Sequence, residues 1–457
     1  MTDTVNGGVS FWQSQLGPAP SRPPLTGPVS ADVCIVGAGF TGLWTAYYLQ
    51  RADPSLSIVV VEQRYAGFGA SGRNGGWLSA AVAGSLDRYG ARRGVDAARD
   101  LQRSMIDAVD EVIHVTRDEG IDADLVKGGV LRVAHTPAQL HRMAQAAATA
   151  TRWGDVHNEL SAAETRSRVN VAGAHGGSYS PNGARLHPAK LVRGLADAVT
   201  RSGVTIYEST PATALSPHRV ETPFGAIEAE FVVRATEGFT ASLPGLRRRW
   251  LPMNSSMIVT EPLDQRTWDE IGWGSGETLG DSAHAFMYAQ RTADDRIAIG
   301  GRGVPYRYGS RVDVDGETSP ATVAQLQRIV TRLFPAAKGV AIEHAWSGVL
   351  GVPRDWCATV EYDPASGMAA AGGYAGHGVT AANLAARTLR DLILGRDSAL
   401  VHLPWVNWRS RDWESEPLRW FGVRGLYLAY RAADRAEASG RTTTSRWARA
   451  ADRLSGR

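Results

Sequence analysis

The sequence predicts an α/β fold, α+β overall, in which a Rossmann-type nucleotide-binding domain is discontinuous along the chain and alternates with a strand-rich second domain. A run of β-branched residues leads into a glycine turn, a helical pattern and a second strand between residues 32 and 62. Strand-like runs alternate with turns between residues 250 and 343, and another glycine-rich segment precedes a helical pattern near residue 378. These three observations predict one nucleotide-binding domain that is assembled from separated stretches of chain.

The first nucleotide motif is the sequence GAGFTG, which follows the predicted strand Val33–Val36. Its first glycine permits a tight turn, its second lets the backbone approach a pyrophosphate, and its third lets the helix pack closely on the strand. The N-terminal N–H groups of that helix then face the phosphates. The predicted cofactor contacts of this turn are Gly37, Gly39, Phe40, Thr41 and Gly42.

An acidic residue completes the motif. Residues 57–61 are typical of a buried strand, and this strand ends in Glu62, about 20 residues past the last glycine, where a carboxylate can accept hydrogen bonds from a ribose. Strand, helix, second strand and terminal acid together indicate a dinucleotide more strongly than the glycines alone. The adjacent Gln63 and Arg64 are included among the predicted cofactor-binding residues.

A second glycine-rich loop distinguishes nicotinamide from flavin. Residues 67–76 read GFGASGRNGG and contain five glycines, a density that lets backbone amides run close to a flat or charged ligand. This loop resembles that of the FAD-dependent oxidoreductases of the D-amino-acid oxidase and glycine oxidase family, most closely the γ-glutamylputrescine oxidase branch. The resemblance implies that the loop lies along the flavin, with contacts from Gly69, Ala70, Ser71, Arg73, Asn74, Gly75 and Gly76.

The resemblance extends from residue 29 to about residue 400 and implies a substrate domain built on a large, mainly antiparallel sheet. It also implies that the backbone of Ala212 meets the adenine ring and that Thr236 approaches the phosphates. Glu237 stands where the family has a small or amide residue, so only Thr236 is carried over.

The late segment GYAGHGVT surrounds one histidine with glycines and leads into a helix N-terminus, a combination that can present backbone amides to negative charge. By resemblance it faces the pyrimidine end of the flavin. His377 is either a participant in the chemistry or a structural turn residue. The predicted cofactor contacts here are Gly373, Tyr374, Gly376, His377, Gly378, Val379 and Thr380.

Candidates for substrate binding or catalysis lie on the strands of the second domain. An arginine there can bind a substrate carboxylate through a bidentate fork. Each candidate can equally be a strand charge or a packing aromatic. Besides His377, the candidates are Tyr288, Arg291, Arg302 and Trp346.

Composition narrows the function classes. The net charge of +3 comes without a basic tract interleaved with aromatics, so we expect no nucleic-acid partner. The sequence contains no run of 18 consecutive apolar residues, so it does not predict a membrane-spanning helix. With two cysteines and no signal-peptide pattern, we expect a reducing, cytoplasmic setting, and no spacing of His, Cys or Asp predicts a metal site. The oligomeric state is open.

The predicted domain limits follow from these signals. Residues 1–28 form an N-terminal arm; residues 29–85, 175–241 and 346–400 form the FAD-binding domain; residues 86–174 and 242–345 form the substrate domain. Residues 401–457 form an Arg- and Trp-rich tail with helical spacing. We expect this tail to dock on the protein's own surface, with an oligomer contact or an anionic lipid surface as alternatives.

The predicted activity is oxidation of a C–N bond in a small amine or amino acid to the imine, by hydride transfer to flavin N5, followed by hydrolysis. Some relatives attach FAD through a cysteine, but Cys357 has the wrong offset from the GYAGHG segment, so we predict non-covalent FAD. Some oxidases place a lysine over the flavin, and neither Lys127, Lys190 nor Lys338 falls on the matching sheet. An oxidase using O2 is favoured; a dehydrogenase with a quinone or protein acceptor, or a subunit of a larger complex, are the alternatives.

Overall fold

The computed structural model describes residues 4–18, 21–301, 306–312 and 314–455. The candidate Arg302 therefore lies outside the described residues. The strands, numbered in chain order, are β1 (Val5–Asn6), β2 (Val29–Val36), β3 (Ile58–Val61), β4 (Trp77–Ser79), β5 (Val130–Ala134), β6 (Asn158–Ser161), β7 (Gly176–Ser180), β8 (Gly183–Arg185), β9 (Thr205–Tyr207), β10 (Ala214–Ser216), β11 (Arg219–Thr222), β12 (Gly225–Arg234), β13 (Leu251–Thr260), β14 (Thr278–Asp281), β15 (Met287–Arg291), β16 (Ile297–Gly301), β17 (Ile342–Val352), β18 (Thr359–Asp363) and β19 (Met368–Gly372).

The helices are numbered in the same way. They are α1 (Phe11–Ser14), α2 (Phe40–Ala52), α3 (Leu86–Arg93), α4 (Val95–Asp118), α5 (Pro137–Arg152), α6 (Ala162–Arg168), α7 (Pro188–Arg201), α8 (Gln265–Ile271), α9 (Pro320–Leu333), α10 (Gly378–Ile393), α11 (Leu418–Ala438) and α12 (Arg446–Ser455).

The nucleotide-binding sheet has a parallel centre in the order β19-β12-β2-β3-β9, with β10 and β11 extending it in antiparallel fashion beyond β12 and β18 pairing with β19. β3 is buried on both faces, as a central parallel strand requires. Helix α2 is buried almost all round because α7 and α10 pack against it. The core thus fixes the turn between β2 and α2, where the first glycine motif lies.

The second sheet follows the order β1-β17-β13-β16-β15-β14-β5-β7-β6 in the described residues. Most of its pairs are antiparallel; β1 with β17 and β14 with β5 are parallel. Helices α8 and α9 cover one face, where Leu131, Leu279 and Ile299 pack into a core with Trp273 and Phe334. The other face is turned toward the nucleotide-binding sheet. The predicted fold class, including the large, mainly antiparallel sheet, is confirmed.

Two of the predicted domain limits differ from the sheet assignment. β7 and β17 both belong to the large sheet, although residues 175–180 and 346–352 were assigned to the nucleotide-binding domain. The chain leaves the large sheet after β7 and again after β17, and an apolar run alone does not reveal which sheet it joins.

The C-terminal residues form two helices, α11 and α12, which pack on each other. Trp413, just before α11, is buried and donates its indole N–H to the Val352 carbonyl at 2.7 Å. This segment therefore docks on the end of β17. Among the described residues, no helix is long and apolar enough to cross a bilayer.

Candidate functional site

An open cleft of about 1170 Å³ lies at the carboxyl ends of the parallel strands. Val36, Val61 and Ala235, which end or follow β2, β3 and β12, form its base. In open α/β sheets ligands bind at this edge. We call this space the dinucleotide cleft.

The first glycine motif is shaped for close backbone approach. Gly37 has a φ of +109°, and a Cβ there would lie 2.6 Å from the Ala235 carbonyl oxygen. A Cβ at Gly42 would lie 1.9 Å from the Gly37 carbonyl oxygen, so only glycine allows the helix to pack this closely. Gly39 caps α2 without any side-chain hydrogen bond. Apart from the Phe40 N–H, which donates to Ser71 Oγ, N–H groups in the first turn of α2 are thus left for an anionic ligand.

Glu62 lies at the end of β3, in the wall of the dinucleotide cleft. Its carboxylate accepts the N–H of Ala38 at 2.9 Å and the N–H of Arg64 at 3.0 Å. Burial raises the pKa of Glu62 above its ordinary value, and these N–H donors act in the opposite direction. The two bonds fix the carboxylate where a ribose hydroxyl of a dinucleotide would be expected.

The second glycine loop is tied to the first. The Phe40 N–H donates to Ser71 Oγ at 2.8 Å. Within the loop, the Asn74 side chain donates to the carbonyls of Ala70 and Ser71 and accepts the Gly76 N–H at 2.8 Å. Because these bonds are internal, the loop holds its curvature beside the cleft without requiring a ligand.

The N-terminal arm holds the same loop from outside. Ser10 Oγ donates to the Gly72 carbonyl at 2.6 Å, and the Trp12 indole donates to the Asn74 carbonyl at 2.8 Å. Gln13 donates to the Gly67 carbonyl at 3.0 Å. The glycine-rich loop has little regular secondary structure that could pair these carbonyls. The N-terminal arm supplies hydrogen-bond donors to them instead.

Arg73 and Trp346, two predicted site residues, lie behind the loop. The Arg73 guanidinium donates to the carbonyls of Phe68, Ser347 and Gly8, and the Trp346 indole donates to the Arg73 carbonyl at 2.9 Å. Both side chains are buried. In this arrangement they support the loop and do not line the cleft.

The late glycine segment forms the opposite wall. The Tyr374 hydroxyl is 3.1 Å from Thr41 Oγ1, which joins this wall to α2. Helix α10 begins at Gly378 with His377 as its N-cap, again without a side-chain capping bond. Two uncapped helix N-termini therefore border one cleft, an arrangement that stabilises negative charge.

Glu237 is the residue in this wall that the sequence interpretation set aside. It lines the cleft beside Thr236, and its carboxylate accepts the N–H groups of Gly351, Gly373 and Tyr374 at 3.3, 2.8 and 3.3 Å. Burial raises its pKa to about 7 against the lowering effect of these N–H donors. Glu237 joins β17 to the late glycine segment.

The structure brings most of the predicted cofactor residues into the cleft wall. Those that line it are Gly37, Gly39, Phe40, Thr41, Glu62, Gln63, Gly69, Ala70, Ser71, Asn74, Ala212, Thr236, Tyr374, Gly376, Gly378 and Val379. Those that do not line it are Gly42, Arg64, Arg73, Gly75, Gly76, Gly373, His377 and Thr380. Residues of the wall that sequence reasoning missed, besides Glu237, include Phe68, Phe239, Val349 and Leu350.

A second cavity, of about 1250 Å³, adjoins the first. Leu350 lines both cavities; Gly376 lines the dinucleotide cleft, whereas Ala375 and His377 line the second cavity. The two spaces therefore meet along the late glycine segment. The second cavity is lined by an unusual number of rings, and we call it the aromatic pocket: its aromatic members are His284, Phe286, Tyr288, Trp356, His377, Tyr427 and Tyr430.

His377 lies at the junction of the two cavities. Burial and, to a smaller extent, the positive charge of Arg132 lower its pKa to about 4. Its imidazole is therefore neutral at pH 7. A neutral imidazole can donate or accept a hydrogen bond, but it supplies no fixed positive charge.

Tyr288 and Arg291 lie on opposite faces of β15. Tyr288 projects toward the nucleotide-binding sheet, where its hydroxyl is 2.7 Å from Ser255 Oγ and its ring packs on Gly75. Arg291 projects to the other face, where it stacks 4.1 Å above Trp268 and binds Asp295. Because strand side chains alternate, residues three apart point to opposite faces. Tyr288 thus lines the aromatic pocket, whereas Arg291 does not.

Arg132 lies on the same face as Tyr288. Its register partner is Gly280, whose next partner across the sheet is Tyr288. Residues that are directly opposite in neighbouring strands project to the same face. Arg132 is half-buried, and burial lowers its pKa while Asp281 acts to raise it. Arg132 was not among the sequence candidates. In the strand VLRVA it alternates with the apolar residues Leu131 and Val133, and this alternation could have indicated that it faces away from the core.

The dinucleotide cleft fits FAD: it offers uncapped helix N-termini for phosphates, glycines whose Cβ atoms would fill the space, and a fixed ribose acid. The fold and the cleft define a dinucleotide-binding flavoprotein class. Residues 32–392 match the family described as DAO, FAD dependent oxidoreductase. The chain belongs to this family of FAD-dependent enzymes that act on amines or amino acids.

Relatives agree with this assignment. The chain is 30% identical over 394 residues to gamma-glutamylputrescine oxidoreductase of Escherichia coli K12, covering 83% of this chain and 88% of that protein. It is also 30% identical over 407 residues to the probable oxidoreductase OrdL of Rhizobium meliloti 1021, covering 87% of this chain and 90% of that protein. The crystal structure of glycine oxidase from Geobacillus kaustophilus superposes with a TM-score of 0.68 at 22% identity, covering 84% of this chain and all of that one.

Proposed function

We propose that this chain oxidises the C–N bond of a small amine or amino acid to an imine, with O2 as the favoured electron acceptor. The substrate would lose a hydride from the carbon, for which flavin N5 is the expected acceptor, and a proton from the nitrogen; water would then hydrolyse the imine to a carbonyl compound and ammonia, or an amine where the nitrogen carries a substituent. FAD supplies the two-electron acceptor when bound. Reoxidation by O2 would yield hydrogen peroxide.

One observation carries this proposal: the aromatic pocket and the dinucleotide cleft share Leu350 and meet along the late glycine segment, where His377 lines the pocket and Gly376 lines the cleft. A substrate in the pocket would have its reacting end at this junction, where the late glycine segment and the α10 N-terminus stabilise negative charge. Because the His377 imidazole is neutral, it can hold an uncharged amine by a hydrogen bond without repelling it.

Arg132 supports an amino acid as one member of the substrate class. Its guanidinium lies on the face of the large sheet that carries Tyr288 and is close enough to lower the pKa of His377. A carboxylate near this junction would find in Arg132 a planar donor group. Arg291, by contrast, is occupied by Asp295 on the opposite face.

Non-covalent attachment of FAD is part of the proposal. Cys357 is fully buried, burial raises its pKa to about 11, and it packs against Gly84. A thiol in that setting is a poor nucleophile. Release of intact FAD on acid precipitation would support the proposal, and flavin retained on the precipitated chain would contradict it.

The experiment that tests the function is anaerobic bleaching of the flavin by a panel of polyamines, γ-glutamylated amines, amino acids and N-methyl amino acids. Bleaching by one class supports C–N oxidation. Peroxide formation with that substrate in air supports the oxidase; bleaching without peroxide favours the dehydrogenase. A panel that leaves the flavin oxidised would contradict the proposal.

A further inference from the structure

The outer wall of the aromatic pocket comes from helix α11. Tyr427 and Tyr430 of this helix line the cavity together with Tyr288 and Trp356. The family match ends at residue 392, so this wall is built by the C-terminal extension and lies outside the part of the chain that defines the family.

Helix α11 is held in place by buried charge. The Glu437 carboxylate is fully buried; it accepts both terminal N–H groups of Arg142 at 3.0 Å and pairs with His284 Nε2 at 3.0 Å. Asp434 accepts the N–H groups of His284 and Ala285 at 2.9 and 3.1 Å. Because Arg142 already balances Glu437, this cluster is a docking network between α5, α11 and the loop before β15.

The same network orders the pocket side of that loop. The Tyr430 ring stacks on the His284 imidazole with centroids 5.7 Å apart and planes 10° apart. The next residues of the loop, Ala285 and Phe286, also line the pocket. Tyr430 itself is fixed by a hydrogen bond from its hydroxyl to Asp452 of α12 at 2.8 Å. The C-terminal extension therefore forms one wall of the aromatic pocket and positions the adjacent loop before β15.

Tyr427 is placed differently. It lies one helical turn before Tyr430 on the same side of α11, it is half-buried, and it lines the pocket. We propose that Tyr427 determines specificity by packing on the carbon chain of the substrate beyond the reacting C–N bond. Its aromatic face suits an apolar chain, and the aliphatic side chains of Leu350 and Val352 line the same pocket. This inference rests on the proposed function, because it takes the ligand to be an amine.

The test uses the holoenzyme with primary n-alkylamines of two to eight carbons, whose binding is followed by the change in the flavin absorption spectrum. In the unmodified protein, affinity should rise about fourfold for each methylene that reaches the ring. In Tyr427→Ala this rise should stop at the shorter amines, and the longest amines should bind about tenfold more weakly. Tyr427→Phe should retain the rise.

Leu428→Ala is the matched control, because Leu428 is 66% exposed on the same helix and does not line the pocket. It should bind the whole series like the unmodified protein. Equal dependence on chain length in Tyr427→Ala and Leu428→Ala would overturn the inference, as would a series that never perturbs the flavin. The proposed function fails only if the panel of polyamines, γ-glutamylated amines, amino acids and N-methyl amino acids leaves the flavin oxidised, so its failure and the failure of the role of Tyr427 are distinguishable.

Discussion

The carboxylate of Glu237 accepts the backbone N–H of Gly373 at 2.8 Å, and this bond joins the strand-end region of the nucleotide-binding sheet to the late glycine segment. The same carboxylate accepts the N–H groups of Gly351 and Tyr374. A single side chain in the wall of the dinucleotide cleft thus satisfies three donors, one in β17 and two in the late glycine segment. The shape of that wall depends on Glu237.

Replacing Glu237 tests this dependence. Glu237→Ala leaves three backbone donors without their acceptor, and unmet donors of this kind cost about 1–3 kcal/mol each. We expect the dissociation constant for FAD to rise at least tenfold, measured by fluorescence titration of the apoprotein. Thr240→Ser, at a buried neighbouring position that keeps its hydroxyl, is the control. An unchanged affinity for FAD in Glu237→Ala would contradict the role of the Glu237 carboxylate in shaping the cleft wall.

The pH dependence of the apoprotein follows from the same residue. Its pKa is raised from 4.5 to about 7, so the folded chain retains a proton that the unfolded chain loses between these values. The free energy of unfolding should therefore fall as pH rises from about 4.5 to 7, and Glu237→Gln should remove this component. Urea titrations at several pH values measure it. If the free energy of unfolding depended on pH in the same way in the unmodified protein and in Glu237→Gln, the raised pKa would not belong to Glu237.

Ser71 should contribute to FAD binding through Phe40. Ser71→Ala removes the acceptor of the Phe40 N–H and loosens the contact between the two glycine loops. A lost acceptor of this kind costs about 1–2 kcal/mol, so the affinity for FAD should fall about tenfold. The measurement is again titration of the apoprotein. Ser55→Ala, in an exposed turn that binds Asp53, should leave FAD affinity unchanged.

His377 should show no titration in the ordinary histidine range. With its pKa lowered to about 4, the imidazole stays neutral through pH 5–9, so the rate of anaerobic flavin reduction should carry no inflection near pH 6.5 from this group. Arg132→Met removes one of the two causes and should move the pKa of His377 upward. An inflection near pH 6.5 that disappears in His377→Asn would show that the imidazole is not neutral.

Docking of α11 should fail in acid. Burial acts to raise the pKa of Glu437, but hydrogen bonds from His284 and Arg142 hold it at about 2. The stabilisation is complete above about pH 4.5 and is lost as pH falls toward 2. Glu437→Gln should lose about 3 kcal/mol at pH 7, because it leaves Arg142 partly buried without its counter-charge. Thermal unfolding of the unmodified protein and of Glu437→Gln between pH 7 and pH 2 tests whether the ionised carboxylate stabilises the fold. Equal melting curves at pH 7 would contradict this stabilisation.

Local sequence was sufficient for the nucleotide half of the site. The turn at Gly37–Gly42 and the acid at Glu62 lie close together in sequence, and those motifs specify both backbone shape and ligand chemistry. The catalytic half required sheet geometry. Tyr288 and Arg291 are both sequence candidates for substrate binding or catalysis and both lie on β15. The alternation of side chains along the strand allows only one of them to face the pocket.

Other features depend on contacts between distant parts of the chain. Glu237 acquires its role from β17 and the segment at Gly373, more than 110 residues away in sequence. Tyr427 reaches the pocket because Glu437 meets Arg142 across 295 residues. Helical periodicity predicted that the tail was helical, but periodicity does not say which surface a helix covers.

The most direct measurement of the central claim is the flavin absorbance of the anaerobic holoenzyme mixed with an amine substrate from the panel, followed by identification of the product. We predict loss of the oxidised flavin bands and formation of one carbonyl compound per flavin reduced. Reduction without a carbonyl product, or no reduction by any amine or amino acid, would contradict C–N oxidation at the junction of the two cavities.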